Sequence, residues 1–457
     1  MVWKAKDAAE ATKGKIFSSW AGGKLVFDSR LVEKGDIFVA LPGANIDGHN
    51  FVKPALEKGA NAAIVSKIPE GVDTEKLLLV DDCINALNDM ANYNRARCKA
   101  KFIAITGSVG KTSTKELLGL AFSAHGKTFI SRGNYNNFLG VPINLASIPE
   151  DTEYAVIEIG MDHAGEITPL TQMVKPDLAI ITAIENIHRA NFASIEGIAE
   201  AKAEIFDGLK TSGTTIINFL SNCYDLLKEK AKAFNVISIG KNSRIEEYEI
   251  KNNHTSAILN VLGKEIKLNI DNIIGQHQIH NMMVALTCIA SFNLDLVKPA
   301  KILESFKLPR GRGMVLKLKV NNKNIILLDD SYNAGPASVR AALKTMSYYT
   351  GRKIAILGDM VDMGPDSLAI HLDLKNDLIA NKINKVICFG QEMQHLQKTL
   401  PPEIQYGSYL NLKDLAQDLP AKLLDGDVLL IKGSFYLTKL YHFTQHLIDG
   451  TLDKITC

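Results

Sequence analysis

An apolar run, Phe102-Ile103-Ala104-Ile105, leads without interruption into Thr106-Gly107-Ser108-Val109-Gly110-Lys111-Thr112-Ser113, and the chain continues as Thr114-Lys115-Glu116-Leu117-Leu118. The pattern predicts a buried strand, a glycine-rich turn and a helix in succession. Few local patterns restrict a fold as strongly, because strand, turn and helix in this order imply a parallel α/β sheet with a ligand at the strand ends. Gly107 and Gly110 let backbone N–H groups approach phosphate oxygens, and the helix N-terminus adds partial positive charge at the same place. Lys111 can reach β- and γ-phosphates, and the Thr112 hydroxyl can ligate Mg²⁺. The competing reading is a glycine turn whose Lys and Thr are merely solvated. The common phosphate loop carries another glycine five positions before its Gly-Lys pair, where this chain has Ile105. The loop is therefore a shortened variant.

A chain of 457 residues is expected to divide into two to four domains. We read three: 1–82, with short strands and turns; 83–308, alternating strands and helices around a mostly parallel sheet; and 309–457, a second α/β block. Leu308-Pro309-Arg310-Gly311-Arg312-Gly313 reads as the hinge before the last block. In that block Ile325 to Asp330, Ile354 to Asp359, Val386 to Gly390 and Val428 to Gly433 read as strands ending in polar turns. A formal net charge of +2, with basic residues spread out, gives no field for nucleic acid. The first residues carry no apolar signal core and no later run approaches a membrane span, so a cytosolic protein is expected. Six well-separated cysteines without a Cys-x-x-Cys pair indicate neither a zinc site nor a disulfide framework.

Several polar residues stand out against apolar surroundings. Glu158 sits inside the otherwise apolar run Tyr154-Ala155-Val156-Ile157-Glu158-Ile159. It is either an acidic ligand for Mg²⁺ or an outward-facing strand residue. His188 follows the strand Leu178 to Ile181; alone, such a histidine is usually a loop or core residue. Lys202 lies in an amphipathic helical pattern between Glu200 and Glu204, which by itself reads as a surface lysine among i±4 acids. Near a metal it would need its charge removed, which carbamylation by CO₂ would do. His277 and Asn281, one turn apart at the start of a long helix, are caps or nucleotide contacts. Asp329-Asp330-Ser331-Tyr332-Asn333 packs more polar groups at one strand end than a turn requires.

Taken in order, these segments resemble the Mur ligases, the ATP-dependent amino-acid ligases of peptidoglycan precursor synthesis. The loop at Thr106 looks like the family's Thr-Gly-x-x-Gly-Lys-Thr signature. Further matches are "DSRLVEKGDIFVALPGANIDGHNF" from Asp28, "GNYNNFLGVP" from Gly133, "DDSYNAGPAS" from Asp329, "LGDMVDMG" from Leu357 and "KGS" from Lys432. The second and third of these resemble the branch that joins D-alanyl-D-alanine to UDP-N-acetylmuramoyl-tripeptide.

The resemblance implies an α/β protein of three domains: a small UDP-substrate domain, a central ATPase domain and a C-terminal Rossmann-like domain. It implies ATP and two Mg²⁺ ions, with Thr112, Glu158, His188 and Lys202 as metal ligands and Lys202 falling on the lysine that is carbamylated in several members. It also implies ATP contacts from Thr106 through Ser113, from His277 and Asn281, and from Arg312 and Asp330. Ser29, Arg30, Asn45, Asp47 and His49, with Asn134, Asn136 and Asn137, would hold the UDP-linked substrate, and Tyr332 and Asn333 the dipeptide. Lys111, Lys202, His188 and Arg312 would carry the catalysis, in a monomer. This chain has Ala183-Ile184-Glu185-Asn186-Ile187-His188-Arg189-Ala190 where the family has Asn-Ile-Gly-x-Ala-His-Leu-Glu, Gly335 in place of an Asn, and Phe435 in place of an Arg. The rival readings are a related ligase, including the folylpolyglutamate synthase group, and a nucleotide-gated ATPase switch.

Overall fold

The computed structural model describes residues 2–43, 46–185, 191–251 and 253–455. Two compact units emerge. One holds 1–107, 118–183 and 196–239, and the other 108–117, 184–195 and 240–457.

The first unit carries three sheets, one of them the two-stranded antiparallel pair Trp3–Lys4 and Ala21–Gly22. A small sheet pairs Leu25–Val26, Ile37–Val39, Ala62–Val65 and Leu77–Leu79 in parallel, with Lys15–Ile16 antiparallel at its edge. Its parallel strands are short and fully apolar, and Val52–Lys58 packs a helix on them through Val52 and Ala55. The six strands that this unit gives to the larger, nine-stranded sheet are all parallel, in the order Asn235–Ile239, Thr214–Asn218, Leu178–Ile181, Lys101–Thr106, Tyr154–Glu158, Thr128–Ile130. Phe102, Ile103 and Ile105 are completely buried in its centre. Each such side chain contributes roughly 2 kcal/mol, which is why the run is continuous rather than alternating. Register then does the positioning. Glu158 lies opposite Ile105, and Ile181 opposite Thr106, so three strand ends meet where the glycine-rich turn begins.

In the second unit Ser243–Lys251, His254–Val261 and Lys264–Ile270 form an antiparallel ribbon. The sequence reading did not anticipate it. The strict alternation of buried and half-buried residues along His254–Val261 is its signature, and left-handed residues at Asn253, Leu262 and Gly263 make its turns. The helix Gln276–Ser291 packs against this ribbon. The last sheet runs Met314–Val320, Lys323–Asp330, Val428–Lys432, Lys353–Gly358, Lys385–Phe389, Gln405–Tyr409; only its first pair is antiparallel. Helices on both faces cover it, with separate apolar clusters on each side. That is the doubly wound arrangement expected of a Rossmann-like domain.

The segment read as a hinge is only partly one. Arg310 to Gly313 form a turn tied to the end of Lys323–Asp330: Gly313 N–H donates to the Asp329 carbonyl at 2.8 Å and Tyr332 N–H to the Gly311 carbonyl at 3.0 Å. Among the described residues no helix is long and apolar enough to cross a membrane.

Candidate active site

The glycine-rich turn leaves the strand Lys101–Thr106 and enters the helix Lys111–Ser123, as the sequence predicts. Gly107 has φ +148° and Gly110 φ +85°, conformations that side chains rarely adopt. A Cβ on Gly107 would stand 2.0 Å from Thr182 Oγ1, because Thr182 N–H closes onto the Thr106 carbonyl at 3.0 Å. Gly107→Ala is therefore expected to destabilise the protein by about 3 kcal/mol and lower its thermal midpoint. An unchanged midpoint would show that the turn is looser than this geometry. Lys111 Nζ reaches back to the Ser108 carbonyl at 3.5 Å, so the ammonium lies across its own loop. The Ser108 hydroxyl is used structurally: it accepts from Glu185 N–H at 3.0 Å and donates to the Glu185 carbonyl at 3.2 Å.

Glu158 is 2% exposed, which removes the outward-facing alternative. Its Oε1 accepts from Asn136 Nδ2 at 2.9 Å and its backbone N–H donates to Ser131 Oγ at 2.9 Å. Asn136 thus orients the carboxylate. Asn137 caps a turn through Leu139 and Gly140 N–H, while Asn134 is exposed. The whole loop hangs on Asn144, a fully buried residue that sequence reasoning passed over: its Oδ1 takes Arg132 N–H and its Nδ2 holds the Tyr135 and Gly140 carbonyls. Tyr135 stacks on Phe27 at 5.1 Å, and Arg132 bonds the Leu25 carbonyl and Ser147 Oγ. Asp28 and Arg30 lie within electrostatic range of Tyr135 in that loop. Arg30 is largely exposed and pairs with Asp28 at 2.8 Å.

Asp47 and His49 hold each other. Asp47 Oδ1 accepts from His49 N–H and contacts the ring Nδ1 at 2.6 Å, and Oδ2 takes Lys67 Nζ at 2.7 Å. The Lys67 ammonium first, then His49, keep the Asp47 carboxyl below the usual carboxylate range. His49 is buried, and its Nε2 accepts from Ser66 N–H at 2.9 Å. Asp47 is also bridged to Pro42. Asn45 and His188 lie outside the described residues.

Lys202 corrects the surface reading: it is 1% exposed, in the last turn of Ile195–Ala203. Its sequence neighbours are engaged elsewhere. Glu204 accepts from the N–H groups of Gly165, Ile167 and Thr168, capping the helix Ile167–Val174, and Glu200 lies 3.6 Å from Lys230. The apolar face of a short helix has carried a lysine inward, an expensive placement for an ordinary ammonium.

In the second unit, Asp330 and Lys432 are register partners at the ends of adjacent parallel strands. Lys432, 2% exposed, donates to Asp330 Oδ2 at 2.6 Å and to the Asn333 carbonyl at 3.0 Å. Burial pushes the Asp330 carboxyl up, and the Lys432 ammonium works against it. Sequence reading placed Asp330 in the site but gave Lys432 no role; the signal was a charged residue closing the apolar strand Val428–Lys432. His277, at the start of Gln276–Ser291, is lowered to about 4 by the protein packed around it and then by the Lys432 charge. The residue is nonetheless exposed, and the lowered pKa leaves a neutral imidazole at pH 7. Asn281 follows one turn later, half-buried. The Arg312 guanidinium lies over the Tyr332 ring, 4.3 Å from its centroid, and Tyr332 packs on Phe435 and Tyr441. The strand ends thus gather a neutral ring, a carboxylate, two cations and an aromatic shelf.

Comparison with known proteins accords with this architecture. The Mur ligase family catalytic domain matches residues 24–98, the Mur ligase middle domain 105–289 and the Mur ligase glutamate ligase domain 314–435. A UDP-N-acetylmuramoyl-tripeptide--D-alanyl-D-alanine ligase from Rickettsia prowazekii is 37% identical, over 95% of this chain and 97% of that protein. The crystal structure of MurF from Acinetobacter baumannii superimposes with a TM-score of 0.83 at 29% identity, covering 99% of each chain. MurF from Thermotoga maritima, crystallised in complex with ADP, shares the fold with a TM-score of 0.77 at 24% identity over 94% of this chain and 98% of that one. With three matched domains in order and a relative aligned nearly end to end, the chain belongs to the Mur ligase family.

Proposed function

We propose that this enzyme joins D-alanyl-D-alanine to UDP-N-acetylmuramoyl-tripeptide at the expense of ATP, giving UDP-N-acetylmuramoyl-pentapeptide, ADP and phosphate for peptidoglycan synthesis. The single observation that carries the reading is the end-to-end similarity to a ligase of that name. It acts on nucleotide-linked precursors in the cytoplasm, as a monomer, with the three-part division at 82 and 308. Residues 1–82 hold the UDP moiety, 83–308 hold ATP, and 309–457 take the dipeptide.

A carboxylate in water is a poor acylating agent, and phosphorylation by ATP makes it a good one. We assign the γ-phosphoryl of ATP to the loop Thr106 to Ser113, with Lys111 offsetting charge on the transferring group. The substrate carboxylate attacks phosphorus and ADP leaves. The dipeptide amine then attacks the acyl phosphate, loses a proton and expels phosphate. Little covalent work falls to the protein, so positioning dominates. His277 as a neutral ring and Asn281 suit an adenine edge, and Asp330 suits ribose. Tyr332 and Asn333 stand where the dipeptide would enter, and Arg312 offers a cation to the γ-phosphate.

Mg²⁺ fits the donors. The Thr112 hydroxyl and the Glu158 carboxylate are hard oxygen ligands, and Asn136 fixes the carboxylate's orientation. Among the described residues no group of three or more His, Cys, Asp or Glu could hold a metal unaided, consistent with an ion that arrives on phosphate oxygens and water. A second ion would draw on His188 and a carbamate on Lys202. When bound, the ions neutralise charge on the phosphoryl and carboxylate oxygens.

The test is phosphate release from ATP with both substrates and with each omitted. The ligase reading requires both, with the pentapeptide nucleotide as product. Release indifferent to either substrate would replace it with an ATPase switch.

A further inference from the structure

We propose that Asp329 is a positioning residue that fixes Arg312, through the Gly311 backbone, as a pre-set arm of the third domain. This rests on the proposed action of Arg312 at the γ-phosphate. Asp329 is 1% exposed, so its carboxylate must be fully partnered inside the protein. Oδ2 accepts from Gly311 N–H at 2.9 Å, and Oδ1 accepts from the Ser331 hydroxyl at 2.5 Å and from Ser331 N–H at 3.3 Å. Its own carbonyl takes Gly313 N–H. The residue therefore grips the turn on both sides of Arg312.

The turn has no room to relax. Gly311 has φ +70°, and a Cβ there would lie 2.9 Å from Tyr332 Cβ and from the Tyr441 ring. Tyr332 N–H in turn bonds the Gly311 carbonyl, and Phe435 N–H bonds the Tyr332 carbonyl. With the backbone so held, the guanidinium comes to rest over Tyr332, a favourable cation–ring contact. Charge-assisted bonds to the backbone and a cation over a ring are two independent restraints on one side chain. Ordering a long arginine at the moment of reaction costs entropy, and these restraints incur that cost during folding. Any bending before the third domain then falls N-terminal to Arg310, and Arg312 travels with the strand end.

A double-mutant cycle in the full-length enzyme tests this. Arg312→Ala is expected to lower kcat by about 10³-fold. Asp329→Ala should lower kcat by about 10²-fold with KM for ATP and for the UDP-substrate changed less than about threefold, and Asp329→Asn, which keeps an oxygen acceptor, should recover part of the loss. The double variant should be no slower than Arg312→Ala alone. Losses that multiply, or normal kcat in Asp329→Ala, would overturn the positioning role. Should Asp329→Ala fail to fold, Ser331→Ala, which only loosens the carboxylate, serves in the same cycle; it should slow the enzyme about fivefold in the wild-type background and not at all beside Arg312→Ala. Equal effects in both backgrounds would overturn the proposal. Full turnover in Arg312→Ala would instead remove Arg312 from the chemistry, a separate failure.

Discussion

Lys111→Ala is expected to lower turnover on the order of 10³-fold while leaving the affinity for the UDP-linked substrate nearly unchanged. Lys111 opens the helix Lys111–Ser123, and its Nζ lies at the outer limit of hydrogen bonding from the Ser108 carbonyl. Alanine is the best helix former, so the loop and its helix should survive the change and the thermal midpoint should barely move. Steady-state kinetics beside calorimetric titration of the UDP-substrate separate the two effects. Near-normal turnover would remove the glycine-rich loop from the mechanism.

Lys202→Ala carries the second large effect, a loss of about 10²-fold in turnover. Two accounts of a buried lysine make different predictions. As a partner in a structural ion pair, its removal would strand a buried charge and cost about 3–5 kcal/mol, so activity would fall with the folded fraction. As a carbamate, it is an oxygen ligand whose loss leaves a cavity in a folded protein, and short carboxylic acids should restore part of the rate. Its 1% exposure fits both accounts, and rescue by a carboxylic acid tells them apart. CO₂-free buffer should likewise slow the wild type, reversibly with bicarbonate. A destabilised variant that no carboxylic acid rescues would decide for the ion pair.

The sequence was most legible where one physical rule dominates. Runs such as Phe102 to Ile105 and Val428 to Ile431 had to be buried parallel strands, and Gly107 and Gly110 had to be a turn with left-handed backbone. Register across strands was not readable from either strand alone. It set Lys432 against Asp330 and Glu158 against Ile105, and so Lys432 was given no role while Glu158 stayed ambiguous on its own residues. Lys202 misled for another reason: flanking acids predict a solvated face only if that face points outward, and burial of Ile198, Ala199 and Ala201 turned it inward. The ribbon Ser243 to Ile270 was missed because its polar outward residues resemble a loop when the alternation is not counted. Asn144 and Asp329 support the site from behind, and nothing in an isolated sequence separates a buried Asn or Asp from a turn residue.

The central claim is that the γ-phosphoryl passes through the substrate carboxylate. UDP-N-acetylmuramoyl-tripeptide labelled with ¹⁸O in its reacting carboxyl group, incubated with ATP and D-alanyl-D-alanine, tests it by mass spectrometry of the released phosphate. An acyl phosphate delivers one labelled oxygen to every phosphate formed. Phosphate free of label, with ATP consumed, would mean that water is the acceptor and that the loop serves a hydrolase.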